Sequence, residues 1–193
     1  MSRLHTIYVA MAALLYVSAA GAQGAPQQGQ TTQPAPPPAT KIEGFKPAAG
    51  SVFTLGYDDL GSVSGVSVDV REMRDQKNTP VRGLLVEITE GQYRKERSFV
   101  DADEIPELLK GFDALLDVKA NPTQFKDFEV RYTTHGELQL TAFNSNSGSI
   151  MYAVQAGRTL KAERVGLSAA DMHKLRALFS AAQTKLQTLN ASR

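Results

Sequence analysis

Three carboxylates stand close together at Asp101, Asp103 and Glu104. Acids so spaced can gather around a hard cation such as calcium, or they can open a helix. The second use accounts for more of the pattern. Asp101 is followed three residues later by Glu104, and Ser168 three later by Asp171, which is the spacing of a capping box. A transition-metal site would draw on His and Cys, but cysteine is absent and the three histidines, His5, His135 and His173, are far apart in the chain. Asp58 and Asp59 sit in a Gly- and Ser-rich stretch, where turn chemistry explains them. Nucleophilic catalysis has no Cys, no G-x-S-x-G, and no His that a recognisable motif sets beside a serine. Gly61 and Gly65 (GSVSG) lack the following helix that a phosphate-cradling loop requires. A carboxylate pair for glycoside chemistry is a matter of tertiary placement, so an enzyme whose site lies between two halves of the fold stays open as a second reading. Nothing in the chain calls for a cofactor or a metal.

The one concentrated basic cluster is Tyr93, Arg94, Lys95 and Arg97, with Phe99 beyond it and Glu96 interrupting it. Clustered cations displace counterions and aromatics stack bases, so this is the candidate interaction surface for a single strand of nucleic acid. Alternating charge is also what a solvated edge strand carries to discourage aggregation, and that reading is preferred.

The elements that position these residues come in two matching sets. Residues 96–116 (ERSFVDADEIPELLKGFDALL) are echoed sixty-seven positions later by 163–183 (ERVGLSAADMHKLRALFSAAQ), with identities that include Leu108/Leu175 and Phe112/Phe179. Upstream of each, apolar residues alternate with polar ones, which marks strands with one buried face. Residues 51–55 read as a short strand and 57–64 as a turn. Val66, Val68 and Val70 mark a second strand, Leu84, Val86 and Ile88 a third, and 93–100 a fourth. A helix over 101–118 carries Ile105, Leu108, Leu109, Phe112, Leu115 and Leu116 on one stripe. The second set has Phe128, Val130 and Tyr132, a turn at His135-Gly136, then Leu138, Leu140 and Ala142, Ile150, Tyr152 and Val154, a strand over 159–167, and a closing helix. The fold class is therefore α+β: two β-β-β-β-α repeats, with antiparallel sheets each covered by one helix, in a pseudo-symmetric single domain. Phe112 and Phe179 are expected at equivalent buried positions, each pinning its helix to its own sheet. Leu85, Phe143 and Met151 fall opposite the apolar stripes, so the outer sheet faces are also candidates for contact.

Residues 1–22 read as a signal peptide: Arg3 gives a positive start, an apolar stretch follows, and the end offers small-residue cleavage sites at 18–20 and 20–22. The apolar stretch falls short of the ~20 residues of a spanning helix, so no integral membrane segment is expected once it is removed. Export to a periplasm or the exterior follows as an expectation. Residues 23–49 read as a disordered Gln/Pro/Ala-rich linker, with too little apolar surface to offset chain entropy, and a chain truncated to start near Glu43 is expected to keep its stability. Residues 50–193 form the folded domain, built from repeats 50–120 and 121–193. Arg3 is one of 21 Lys and Arg against 20 Asp and Glu, so the chain without its leader is neutral. Residues 50–120 carry 14 acids and 9 bases while 121–193 carry 5 and 9, which favours attraction between the halves over an outside polyanion.

The order of elements over residues 51–189 resembles the Whirly and PUR-alpha families, whose domains repeat a β-β-β-β-α unit. The resemblance implies that fold and, by analogy, single-strand nucleic-acid binding. The lysine-glycine-lysine-alanine type motif of Whirly proteins is missing, and the nearest run is Arg94-Lys95-Glu96-Arg97. The expected function is an exported, non-catalytic binding module for a protein, peptide or envelope component, compatible with a homo-oligomer, with nucleic acid disfavoured.

Overall fold

Strand alternation and helical stripes resolve into two four-stranded meanders, each followed by a helix, in a computed structural model that describes residues 39–75, 80–91, 94–119, 121–157 and 163–192. The first sheet comprises β1 (Thr54–Val63), β2 (Val66–Arg74), β3 (Pro80–Glu90) and β4 (Arg94–Asp101), and α1 (Ile105–Leu116) follows. The second comprises β5 (Glu129–Thr133), β6 (Gln139–Asn144), β7 (Ile150–Ala156) and β8 (Glu163–Leu167), followed by α2 (Ala169–Ala191). Every neighbouring pair is antiparallel and consecutive in the chain. The α+β class and the repeat-like order of elements are thus as the periodicity predicts.

Strands β2, β3, β6 and β7 contribute every second residue to one core. Val66, Val68, Val70, Leu84, Val86, Ile88 and Val100 from the first sheet are buried together with Leu140, Ala142, Tyr152, Val154 and Leu167 from the second. The helices supply Leu108, Phe112 and Leu115, and Met172, Leu175, Phe179 and Leu186, to the same cluster. The sheets meet through β3 and β4 on one side and β7 and β8 on the other. There the Gly157 N–H donates to Ser98 Oγ at 3.3 Å.

The helices are exchanged between the repeats. Helix α1 packs on β5 and β6, and α2 packs chiefly on β1 and β2. The expectation that each helix covers its own sheet is therefore corrected. An apolar stripe fits either sheet, and it is the close-fitting residues that select one. Gly111 of α1 lies so near the Tyr132 ring of β5 that an added Cβ would stand 2.6 Å from it. In the other direction, Lys185 of α2 pairs with Asp58 of β1, and Leu178 comes within van der Waals reach of a Cβ built at Gly61. Phe112 and Phe179 are fully buried at equivalent repeat positions, as expected, but they meet each other across the helix pair, with ring centroids 5.3 Å apart and planes tilted by 43°.

Three boundaries move. Strand β1 runs through the expected turn at 57–64, because an edge strand tolerates Asp58, Asp59 and Gly61 where a central one would not. A bulge between Asp59 and Ser62 accommodates Gly61 at φ +116, and the turn is only Ser64-Gly65, both at positive φ as a type I′ hairpin demands. Helix α1 begins at Ile105 rather than 101, with Pro106 in its first turn. Asp101 ends β4 and caps nothing; its carboxylate instead accepts the backbone N–H groups of Lys41 at 2.9 Å and Ile42 at 3.3 Å. Thr40 and Ile42 are buried in consequence, so the docked chain begins before the expected start of the folded domain at residue 50. The expected signal peptide and residues 23–38 of the linker lie outside the described residues. The cap at Ser168 holds: its Oγ accepts the Asp171 N–H at 3.1 Å.

Candidate functional site

The basic cluster sits on β4. Lys95 Nζ and Arg97 Nε each lie 2.8 Å from a different oxygen of Glu87 on β3. The Lys95 bond first, and then Arg97, hold the Glu87 carboxyl below its ordinary range. An acid so placed offsets much of the local positive potential. Arg94 stands opposite Glu90 in the strand register, and Tyr93 lies outside the described residues. The structure thus brings Lys95 and Arg97 together around an acid.

Exposed apolar surface gathers elsewhere, at the free edge of the first sheet. Among the described residues, strand β1 is hydrogen-bonded to β2 on one side only. Val52 is 76% exposed, Phe53 46%, Leu55 42% and Tyr57 71%. Phe53 leans toward Phe45, with ring centroids 6.0 Å apart, and Arg71 lies over the Tyr57 ring at 5.1 Å. The second half of β1 protects its edge with Asp58, Asp59 and the bulge, whereas the first half bears no charge. Of the three outward-facing candidates in the sequence, Leu85 is buried. Phe143 and Met151 stand side by side on β6 and β7, with Arg164 over the Phe143 ring at 5.2 Å.

A cleft of about 530 Å³ opens where both repeats meet the N-terminal residues. Its walls are Ala39 and Lys41, the end of β4 and the turn after it (Asp101, Asp103, Glu104), the first turn of α1 (Glu107), Tyr132 and Thr133 of β5, and His135 of the β5–β6 hairpin. Gly136 permits this junction: a Cβ there would stand 1.8 Å from the Phe99 carbonyl oxygen. Four carboxylates thus face one lysine. Lys41 Nζ donates to Asp103 at 2.5 Å, which holds that carboxyl below its usual range and raises the lysine. Glu107 accepts from Lys110 at 2.6 Å. Glu104 makes no side-chain cap to α1, so capping does not explain it. One of its oxygens accepts the His135 backbone N–H at 2.7 Å, and the other is buried with no hydrogen-bond partner. Burial, then Glu104, then Glu107 raise the Tyr132 hydroxyl above its ordinary pKa, so it keeps its proton. Among the described residues, no three of His, Asp and Glu converge as a metal ion requires.

Asp101, Asp103 and Glu104 stand out in the sequence, but their meeting with Tyr132 and His135 depends on the exchanged helices and carries no local signal. The β1 edge had one: Phe53, Leu55 and Tyr57 alternate directly before two acids. His173 lies exposed on the polar side of α2. No family model matches the chain, and no curated protein or solved structure was found to match it. Among the described residues, no helix is long and apolar enough to cross a membrane.

Proposed function

We propose that the chain is an exported, non-catalytic binding module that takes an extended apolar segment of an envelope protein along the open edge of β1. The observation that carries this reading is the uncharged run from Val52 to Tyr57, which among the described residues pairs with β2 alone, and its four exposed large side chains. An added strand gains main-chain hydrogen bonds from such an edge, and its alternate side chains find Phe53, Leu55 and Tyr57 on one face. Capture from envelope extract with the wild-type chain, with Leu55→Lys/Tyr57→Lys and with Lys95→Glu/Arg97→Glu tests it. The β1 variant should lose the captured protein and the β4 variant should keep it; equal capture by all three refutes the edge. N-terminal sequencing of exported material should begin after residue 22.

A second reading, an envelope enzyme with a carboxylate site between the repeats, is favoured by the acid-lined cleft. It needs two carboxylates free to exchange protons, yet Asp101 holds backbone N–H groups and Asp103 and Glu107 each hold a lysine. Membership of the Whirly or PUR-alpha group is likewise a proposal, supported by the order of elements alone. A single-strand binder of that kind would use a basic sheet face, and Lys95 and Arg97 engage Glu87. Titration with oligothymidine should show no salt-dependent binding.

A further inference from the structure

The cleft between the repeats offers an inference independent of the β1 edge. Its volume, about 530 Å³, falls within the range of small-molecule sites. Its charge is one-sided. Among the described residues that line it, the carboxylates of Asp101, Asp103, Glu104 and Glu107 outnumber the ammonium of Lys41, even with Lys110 paired to Glu107 from outside the lining. Acids commonly collect at a helix N-terminus, and Glu107 in the first turn of α1 needs no other reason. Glu104 does. Its side chain is only 9% exposed and it leaves the helix uncapped. Oε1 is held by the hairpin N–H and Oε2 has no donor. An acceptor buried without a donor is costly, and a folded chain keeps one only where something compensates. The terminal torsion of a glutamate is soft, so a partial turn can present Oε2 to the cleft while Oε1 keeps the hairpin N–H.

We propose that this cleft binds a small organic cation, an alkylammonium or guanidinium group, with Glu104 as its main acceptor. Such a group supplies the N–H donor that Oε2 lacks and offsets the surplus of negative charge. It also suits the remaining walls. Tyr132 presents the part of its ring not covered by Gly111, together with a protonated hydroxyl, and aromatic surface favours cations that shed water easily. His135, 77% exposed at the rim, sets its Nδ1 3.7 Å from Glu104. A divalent metal fits less well, because among the described residues no three ligands converge.

Titration of the full chain with agmatine, followed by amide NMR shifts and calorimetry, tests the proposal. Agmatine carries both cationic groups, 1,4-butanediol provides a neutral comparison, and calcium chloride tests for a metal site. Saturable shifts at Tyr132, Thr133 and His135 with agmatine, and none with butanediol, are expected. Glu104→Gln preserves shape and the acceptor for the hairpin N–H, and should weaken agmatine roughly tenfold or more. His135→Ala, which leaves that backbone bond in place, should retain binding within a few-fold. The mapping on the wild-type chain stands even where a variant folds poorly. Absence of saturation at millimolar agmatine, equal response to butanediol, a response to calcium alone, or full affinity in Glu104→Gln would each overturn the assignment. Edge capture by β1 is read separately and is unaffected by any of these.

Discussion

Phe112 and Phe179 occupy matching places in the two repeats, yet each is the other's neighbour. Removing either ring should cost about 3–5 kcal/mol, as for other buried aromatics. Because they touch, the double variant Phe112→Ala/Phe179→Ala should cost less than the sum, by about 0.5–1.5 kcal/mol. Urea titrations of the three variants measure this, and strict additivity would place the rings on separate surfaces. Glu87 gives a prediction in pH. Its pKa in the folded chain lies below the ordinary 4.5 because Lys95 and Arg97 favour the ionised form. The stability from this pairing is complete above the ordinary value and is lost as pH falls through the depressed one. Glu87→Gln should therefore be about 1 kcal/mol less stable than wild type at neutral pH. That difference should shrink as pH falls below about 4, where the wild-type carboxyl also protonates. An unchanged difference at about pH 3 would mean that Glu87 acts through packing.

At the scale of elements, the N-terminal residues behave as a strap. Starting the chain at Glu43 removes buried Ile42 and both N–H groups that the Asp101 carboxylate receives. A loss of about 2–4 kcal/mol should follow. Asp101→Ala in the full chain should reproduce part of it, and a truncated chain with an unchanged urea midpoint would show that the strap contributes nothing. The strap was hidden in the sequence because one isoleucine amid Gln, Pro and Ala carries no period. Alternation, by contrast, made β2, β3, β6 and β7 legible, since a strand with one buried face repeats every two residues. Strand β1 was obscured by Asp58, Asp59 and Gly61, which read as turn formers and turn out to lie on an edge. The acids of the candidate cleft were visible as a cluster, but Asp101 looked like a helix cap. Its true partners, the N–H groups of Lys41 and Ile42, lie sixty positions away.

The exchange of helices makes neither repeat complete alone. Fragments 39–120 and 121–193 should each lack cooperative urea unfolding, and mixing them should restore it together with the far-ultraviolet signal of the intact chain. Cooperative unfolding of either fragment alone would show that a helix can close over its own sheet. The same exchange has a consequence in time. The first sheet leaves the ribosome early, but α2, which covers β1 and β2, leaves only after all eight strands. At ~5–20 residues per second, Val66, Val68 and Val70 wait several seconds for their cover. A nascent chain of this design stays threadable until α2 is made, the condition in which a polypeptide passes through a narrow conduit. It also offers a holding chaperone an apolar face for the whole of that interval.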